Sequence, residues 1–242
     1  NNMSKNVSNK VVVFDLDETL GYFQQLSVII NAIEKANQKY LNTVEFFNII
    51  HLFDRVFRPH IFTILKYLYK EKLKKNIKKI LIFTNNQGDK SWVNKIKNYI
   101  HNFVEKPIFD QVICAFKING QIIEKNRTSH EKKYSDLIKC SKLPNGTEVC
   151  FIDDVIHNDM YENDNVFYIS VKPYIYHYKY DDIIQKLQNH GSLSKLISNH
   201  NVKSIIQFIK KYIPYEDHEK EYNINAITSK KIMTFLTDFL HE

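Results

Sequence analysis

Four short runs of apolar residues alternate with longer segments that have helical spacing. Each run is rich in β-branched or aromatic residues, and the runs occupy residues 11–14, 80–83, 149–152 and 166–171. Uninterrupted apolar runs of this length are typical of strands that are buried on both faces of a parallel sheet, with helices covering those faces. The pattern therefore predicts an α/β fold built on a Rossmann-like parallel sheet.

The segments between the runs extend this prediction. Three helices are predicted there, at residues 58–75, 89–103 and 132–140. Residues 109–123 have the pattern of a strand followed by a hairpin, in which Asn119 and Gly120 supply the tight turn. Residues 22–57 are mostly helical in pattern, which predicts a small helical insertion, and several further helices are predicted within residues 176–242.

Polar side chains follow three of the four runs, at the point where each predicted strand ends. They are Asp15 and Asp17, then Thr84, Asn85 and Asn86, then Asp153 and Asp154. The carboxyl ends of parallel strands line one crevice, which is where ligands bind in open α/β sheets. We therefore expect four carboxylates and a hydroxyl group to lie together at one edge of the sheet. Turn acids placed by chance would explain any one of these positions, but they explain all three poorly.

The clustered carboxylates indicate a bound cation. Like charges in one site repel one another and raise one another's pKa values. A hard divalent cation relieves this repulsion, and oxygen ligands that include carboxylates are those that Mg²⁺ prefers. The sequence has no HExxH motif and no Cys/His cluster, so zinc is disfavoured. It also lacks the phosphate-binding motifs GxxxxGK[ST] and GxGxxG.

Three motifs, taken in order, resemble those of the haloacid dehalogenase superfamily. They are FDLDETL, IFTNN and FIDD, at the ends of the first three runs. The DxDETL form and the stretch FRPHIFTIL are similar to the NLI-interacting-factor-like branch, which includes the phosphatases of the RNA polymerase II C-terminal domain. The resemblance covers roughly residues 8–175. It implies a catalytic domain there, with residues 22–57 as a helical cap insertion and residues 176–242 as a helical C-terminal extension.

The resemblance also implies roles for the clustered residues. Asp15 is expected to be the nucleophile that forms an aspartyl-phosphate. Asp17 is expected to protonate the leaving oxygen and then to activate water. Thr84 is expected to hydrogen-bond the transferred phosphoryl group, with Asn85 close behind it.

A metal site and a neutralising lysine are implied by the same resemblance. The implied ligands of Mg²⁺ are Asp15, the backbone carbonyl of Asp17, and Asp154, with Asp153 beside them. The lysine is Lys132 or Lys133, which spacing does not separate. We favour Lys132, because a side chain in the first turn of the helix can point back across the strand ends, and Lys133 is then a candidate for substrate binding. Arg127 and Arg58 are candidates for contacts with substrate oxygens or for surface and packing roles.

The expected function is Mg²⁺-dependent hydrolysis of phosphate monoesters, in a protein Ser/Thr phosphatase similar to those of the polymerase C-terminal domain. The alternatives are a polynucleotide 3′-phosphatase, a small-molecule phosphatase of the same superfamily, and a catalytically silent binding module. Asp17 favours phosphoryl transfer, because dehalogenases of the superfamily lack the second acid. The expected partner is a phosphorylated macromolecule, with a phosphoprotein favoured over a nucleic-acid end. The oligomeric state is left open.

Charge and composition add little to this choice. The formal net charge of +7 agrees with an anionic partner, although the lysines are often interleaved with acids. Residues 172–180 interleave tyrosines with bases, which is typical either of a surface that stacks single-stranded nucleic acid or of half-buried tyrosines at a strand exit. Cys114, Cys140 and Cys150 have no CxxC spacing, which favours reduced thiols in a cytoplasmic or nuclear compartment. No apolar stretch approaches the ~20 residues that cross a bilayer, so no membrane partner is expected.

Overall fold

A five-stranded parallel sheet is the main feature of the computed structural model, which describes residues 8–241. The strands are β1 (Lys10–Phe14), β2 (Lys79–Phe83), β3 (Gln111–Ile113), β4 (Lys117–Ile118), β5 (Gln121–Ile122), β6 (Glu148–Asp153) and β7 (Val166–Ser170). The sheet has the order β3-β2-β1-β6-β7, and every neighbouring pair in it is parallel. Strands β4 and β5 form a separate antiparallel hairpin. This arrangement confirms the predicted Rossmann-like α/β fold.

Helices follow most of the strands. They are α1 (Gln24–Asn37), α2 (Thr43–Leu52), α3 (Ile61–Leu73), α4 (Lys90–Val104), α5 (Tyr134–Ser141), α6 (Asn158–Tyr161), α7 (Tyr180–Asn189), α8 (Val202–Tyr212) and α9 (Glu219–His241). Short 3₁₀ turns occupy Asp54–Val56 and Ser194–Leu196. Helix α2 begins with a capping box, in which Asn42 Oδ1 accepts from the Glu45 amide at 2.9 Å and the Glu45 carboxylate accepts from the Asn42 amide at 3.1 Å.

Strand β1 lies in the middle of the sheet because its side chains tolerate burial on both faces. Val11, Val12, Val13 and Phe14 are all fully buried. Strand β2 pairs with one edge of β1 and β6 with the other. Since the three strands run in the same direction, their carboxyl ends lie at the same edge of the sheet.

One face of the sheet forms a core with α5. Alternate residues of the strands contribute to it, as the period of two in a strand requires, and Val11, Val13, Leu81 and Phe83 pack there with Leu137 of α5. This core fixes the position of α5 against the strands. The residues just before α5 are thereby held close to the strand ends.

The predicted strands agree with the observed ones to within one or two residues at each end. The hairpin is also confirmed, because Asn119 and Gly120 connect β4 to β5 with φ of 49° and 80°. Positive φ at both turn residues is what the favoured two-residue hairpin turn requires, and Asn-Gly is the pair that adopts it most readily.

The chain divides into two compact units. The first, called the sheet unit here, comprises residues 8–20, 60–173 and 225–241, and the second, the helical unit, comprises Gly21–Pro59 and Tyr174–Ile224. The division therefore differs from the one that the sequence suggested, which separated residues 176–242 from the rest. The insertion at 22–57 groups with residues 174–224, while residues 225–241 group with the sheet.

Contacts between distant segments hold the helical unit together. Helix α1 packs against α8. The buried Gln25 side chain donates from Nε2 to the carbonyl of Tyr178 at 3.0 Å and accepts from the Tyr178 amide at 2.8 Å. The two ends of the insertion also meet, since Gly21 forms an antiparallel bridge with Phe57. Glycine is required at this crossing, because a Cβ atom at Gly21 would lie 2.4 Å from the carbonyl oxygen of Val56.

The tyrosines of residues 172–180 are part of the interior of this unit. Tyr174, Tyr176 and Tyr178 are each at least nine-tenths buried. The Tyr174 hydroxyl donates to the carbonyl of Arg55, and the Tyr178 hydroxyl accepts from the Arg55 amide at 2.8 Å. Buried rings do not stack on a ligand, so the packing interpretation of this segment is correct and the nucleic-acid interpretation is wrong.

The second part of α9 packs within the sheet unit. Lys10 Nζ donates to the carbonyl of Phe239 at 2.6 Å, and the Phe239 ring lies 5.9 Å from that of Phe167. Leu236 is fully buried. The C-terminal segment is helical, as predicted, but its last turns belong to the core of the sheet unit.

Between residues 8 and 241, the structure has no helix with the length and apolar character needed to span a bilayer.

Candidate active site

The residues that follow β1 make a tight turn. The amide of Asp15 donates to the carbonyl of Ile152 at 2.9 Å, which extends the pairing of β1 with β6 by one residue. Glu18 then adopts the left-handed conformation, with φ of 62°. This conformation is uncommon for a residue other than glycine, and such strain tends to occur at functional sites. The turn brings Asp15 and Asp17 into the same pocket.

Polar side chains from three strand ends line a pocket of about 300 Å³ in the sheet unit. The residues predicted to meet there do so, and they are Asp15, Asp17, Thr84, Asn85, Lys132, Asp153 and Asp154. Glu18, Asn86, Val155 and His157 also contribute to the lining. The rule that the carboxyl ends of parallel strands share one crevice thus accounts for the position of the cluster.

Lys132 is the lysine that reaches the carboxylates. Its Nζ lies 2.5 Å from Oδ1 of Asp15 and 2.6 Å from Oδ2 of Asp153, and the side chain is 2% exposed. Burial opposes the charge on Lys132, but the two carboxylates outweigh burial and raise its pKa. Lys133 is half-buried, and it is the residue that caps α5. Of the two lysines that spacing left open, the structure brings Lys132 into contact with the acids.

Asp153 and Asp154 are held by different partners. Oδ1 of Asp153 accepts from the Val155 amide at 2.9 Å. Oδ1 of Asp154 accepts from the Thr19 hydroxyl at 2.9 Å, and that hydroxyl in turn accepts from the Asp154 amide at 3.1 Å. Thr19, four residues after Asp15, therefore links the first motif to the third.

Asn86 holds the carboxylate of Asp17. Its Nδ2 donates to Oδ2 of Asp17 at 2.7 Å, while its own Oδ1 accepts from the Gly88 amide at 2.9 Å. The Asn86 amide also donates to the hydroxyl oxygen of Thr84 at 3.0 Å. The loop after β2 thus fixes both Asp17 and the Thr84 hydroxyl.

Asp15, Asp17 and Asp154 each have a raised pKa in the absence of a cation. Burial raises the pKa of Asp15 to about 8, although the Lys132 ammonium lowers it, and the charges of Asp153 and Asp17 add to the rise. Burial also raises the pKa of Asp17, against the hydrogen bond from Asn86, and that of Asp154, against the hydrogen bond from Thr19. A bound cation favours the ionised form of such carboxylates.

Three of the carboxylates can share a metal ion. One oxygen from each of Asp15, Asp153 and Asp154 lies within 4.8 Å of the other two. Oδ2 of Asp15 and Oδ2 of Asp154 accept no hydrogen bond from residues 8–241, so they can act as ligands without losing a partner. An all-oxygen, carboxylate-rich set fits a hard divalent cation. The carboxylate of Asp17 lies outside this set.

Arg127 connects two loops beside the pocket. It is 3% exposed, and its guanidinium donates to the carbonyls of Thr84 and Cys114 at 3.1 and 2.8 Å, to Oδ1 of Asn85 at 2.8 Å, and to the carbonyl of His130 at 2.9 Å. Asn85 Nδ2 also donates to the carbonyl of His130 at 2.8 Å. The side chains of Arg127 and Asn85 therefore fix the loop after β2 and the loop before Lys132. For Arg127, these contacts support the packing role and not a contact with substrate oxygens.

Arg58 belongs to the helical unit and is buried there. Its side chain is 1% exposed, and the guanidinium carbon lies 5.7 Å from the centre of the Tyr174 ring. Arg58 is not among the residues that line the acidic pocket, so its ring contact with Tyr174 supports the packing role.

Three further residues contribute to the site, and no role for them was expected from the sequence. Thr19 and Asn86 lie within the quoted motifs, but their partners are far away in sequence. His157 accepts from the Lys132 amide through Nδ1 at 3.3 Å, and its Nε2 lies 3.7 Å from Oδ2 of Asp153. His157 lies three residues after the third motif, and that position alone does not distinguish a site residue from a packing residue.

Comparison with known proteins does not place this chain in a family. No model of a known protein family matches this chain, and no curated protein matches it.

Proposed function

We propose that this protein is a Mg²⁺-dependent phosphatase of the haloacid dehalogenase type, which hydrolyses phosphate monoesters through an aspartyl-phosphate at Asp15. The observation that carries the proposal is the buried Lys132 ammonium, which contacts both Asp15 and Asp153. Phosphoryl transfer needs a nucleophile beside fixed positive charge, because negative charge is spread over the phosphoryl oxygens in the transition state.

The two acids of the first motif divide the reaction between them. An oxygen of Asp15 attacks phosphorus and forms a new P–O bond, while the P–O bond to the leaving group breaks and Asp17 gives its proton to the leaving oxygen. Water then attacks the phosphorus and loses a proton to Asp17, and the bond to Asp15 breaks to release phosphate. The raised pKa of Asp17, which follows from its burial, supports its role as the acid in the first half.

Neutralising groups surround the place where charge develops. Lys132 supplies a fixed ammonium, and the Thr84 hydroxyl, held by the Asn86 amide, is available to the phosphoryl oxygens. Asp15 and Asp154, with Asp153 beside them, would hold Mg²⁺, which when bound polarises a phosphoryl oxygen and favours the ionised form of the acids.

A phosphorylated macromolecule, with phosphoserine or phosphothreonine in a protein favoured, is the proposed substrate. The pocket of about 300 Å³ is at the lower limit of small-molecule sites, and this size suits a phosphorylated side chain better than a large metabolite. The DxDETL form of the first motif supports the same class.

The test combines metal dependence with detection of the covalent intermediate. Hydrolysis of an aryl phosphate should require Mg²⁺ and stop with a chelator. After acid quenching, mass spectrometry should find a phosphate on Asp15 of the wild type. The Asp17→Asn variant should lose a factor of about 10² to 10⁴ in turnover of phosphoserine and accumulate the adduct, because its second step lacks a base.

The controls separate loss of chemistry from loss of fold. Asp15→Asn should neither turn over nor carry phosphate, whereas Asp164→Asn, which alters an exposed acid outside the pocket, should match the wild type. Full activity without a divalent cation, or an adduct on a residue other than Asp15, would contradict the proposal.

A further inference from the structure

A groove of about 630 Å³ in the helical unit has a lining unlike that of the acidic pocket. It lies between α1 with the turn that follows it and the last turns of α8. The rings of Tyr40, Phe208 and Tyr212 line it, together with Lys35 and Lys39. Aromatic faces and ammonium groups therefore share one concave surface. None of the residues that line it takes part in the proposed phosphatase chemistry.

Two of these rings have most of their surface exposed to solvent. Tyr40 is 86% exposed and Tyr212 is 51% exposed. The ring of Phe208 lies 4.8 Å from that of Tyr212 and supports it from the side of the helix. Large exposed aromatic side chains that line one groove indicate a surface that binds planar or apolar groups.

Cations accompany the rings. Lys35 Nζ lies 4.9 Å from the centre of the Phe208 ring, and Lys211 Nζ lies 5.3 Å from the centre of the Tyr212 ring. The Lys39 side chain is 60% exposed, and its Nζ lies 3.6 Å from Oε1 of Glu45, a carboxylate that Lys195 Nζ also reaches at 3.4 Å. The acid in the lining is Glu34, and its carboxylate already accepts from the Leu41 amide at 2.9 Å. The groove therefore presents net positive charge around its aromatic faces.

Amide side chains complete the surface. Asn31 and Gln38 also line the groove, and the structure gives neither side-chain amide a hydrogen-bond partner among residues 8–241. Each amide offers both a donor and an acceptor, which is the combination that pairs with the edge of a nucleobase.

We propose that this groove binds single-stranded nucleic acid. Bases stack on Tyr40 and Tyr212, phosphates contact Lys35, Lys39 and Lys211, and the amides of Asn31 and Gln38 meet base edges. Stacking platforms combined with cations are how proteins hold single strands without strong sequence preference. An acidic peptide would use the lysines but would leave two exposed aromatic faces without a planar partner, which is why nucleic acid is favoured.

The experiment measures fluorescence anisotropy of a labelled 12-nucleotide single strand, as DNA and as RNA, with the full chain. Micromolar binding is expected, together with a preference for the single strand over the duplex of the same sequence. Three lysine contacts predict that the logarithm of the binding constant falls with the logarithm of salt concentration with a slope of about −2. The variants Tyr40→Ala and Tyr212→Ala should each weaken binding by about tenfold.

The matched controls are Phe235→Ala, which removes another exposed ring, and Lys66→Glu, which reverses an exposed charge outside the groove. Both should bind like the wild type, whereas Lys35→Glu should weaken binding and flatten the salt slope. Equal binding of duplex and single strand, no effect of the tyrosine variants, or binding of an acidic peptide in place of the oligonucleotide would overturn the proposal. Hydrolysis of the aryl phosphate should be unchanged by the tyrosine variants, so this proposal and the phosphatase proposal can fail independently.

Discussion

The hydroxyl of Thr19 and the carboxylate and amide of Asp154 form a closed pair of hydrogen bonds. The hydroxyl donates to Oδ1 of Asp154 at 2.9 Å and accepts from the amide of the same residue at 3.1 Å. A single oxygen atom thus fixes both the side chain and the backbone of a proposed metal ligand. Loss of a partner that orients a metal ligand in this way typically lowers metal affinity by about 10- to 100-fold.

Thr19→Val is expected to weaken the response to Mg²⁺ more than the chemical step. Valine keeps the shape of threonine but removes the donor to Asp154, so the apparent affinity for Mg²⁺ should fall by about 10- to 100-fold. The measurement is the concentration of Mg²⁺ at half-maximal hydrolysis of an aryl phosphate. Thr19→Ser, which keeps the hydroxyl, is the control and should stay close to the wild type. An unchanged half-saturation in the valine variant would contradict this role.

Lys132→Met and Lys133→Met should differ sharply although the residues are adjacent. Lys132 lies against two buried carboxylates, and removing one member of a buried charged network typically costs about 3 to 5 kcal/mol of stability. The proposed chemistry adds a loss of about 10²-fold or more in kcat. Lys133 is half-buried, so its variant should change both quantities little. Denaturant unfolding and kcat are the two readouts, and similar effects of the two variants would contradict the assignment of Lys132.

Leu236→Ala should destabilise the sheet unit by about 2 to 5 kcal/mol, because Leu236 is fully buried and alanine leaves a cavity. The neighbouring Phe235 is 45% exposed, so Phe235→Ala should change the free energy of unfolding by no more than about 0.5 kcal/mol. The measurement is urea unfolding of the full chain. Equal effects would mean that α9 does not pack as the structure has it.

Stability should fall as the pH drops below the ordinary pKa of histidine, in part because of His101. Its Nε2 accepts from the Phe109 amide at 3.0 Å, which requires an unprotonated nitrogen. Burial lowers the pKa of His101 below 6.5, helped by Lys97 and Lys72 and opposed by Asp110. The unfolded chain therefore binds this proton more readily than the folded chain does. The contribution of His101 to stability is complete above the pKa of histidine in the unfolded chain, and it is lost as the pH falls from that value toward the lower pKa of the folded state.

The matching variant is His101→Gln, whose amide oxygen can accept the same hydrogen bond and does not titrate. The loss of unfolding free energy between about pH 7.5 and about pH 5.5 should be smaller in this variant than in the wild type. An identical loss in both proteins would assign the pH dependence to other groups.

Much of the sheet unit could be predicted because its signals are local. Residues 11–14 are apolar on both faces of the strand, which is typical of a buried parallel strand. The rule for parallel strand ends then predicts that the acids after the strands lie together. The choice between Lys132 and Lys133 was not local, since both precede α5 and only the packing of α5 on the sheet decides which one reaches Asp15.

The grouping of the helices could not be predicted for a related reason. Helical spacing shows that α1 and α8 each have an apolar face, but it does not say which other face covers it. The final turns of α9 present the same difficulty, because the pattern around Leu236 predicts burial without naming Lys10 and Phe167 as the neighbours of that region. Partners far apart in sequence are decided by tertiary packing alone.

The paired hydrogen bonds between Gln25 and Tyr178 have a consequence for how such a chain can change over generations. They join a segment inserted after the first motif to one that follows the last strand, and helix α1 of the first segment packs against helix α8 of the second. A chain that gained only one of the two would carry exposed apolar helices and a buried glutamine without its partner. The two segments therefore have to be inherited or lost as one module, even though more than a hundred residues of the sheet unit separate them in the gene.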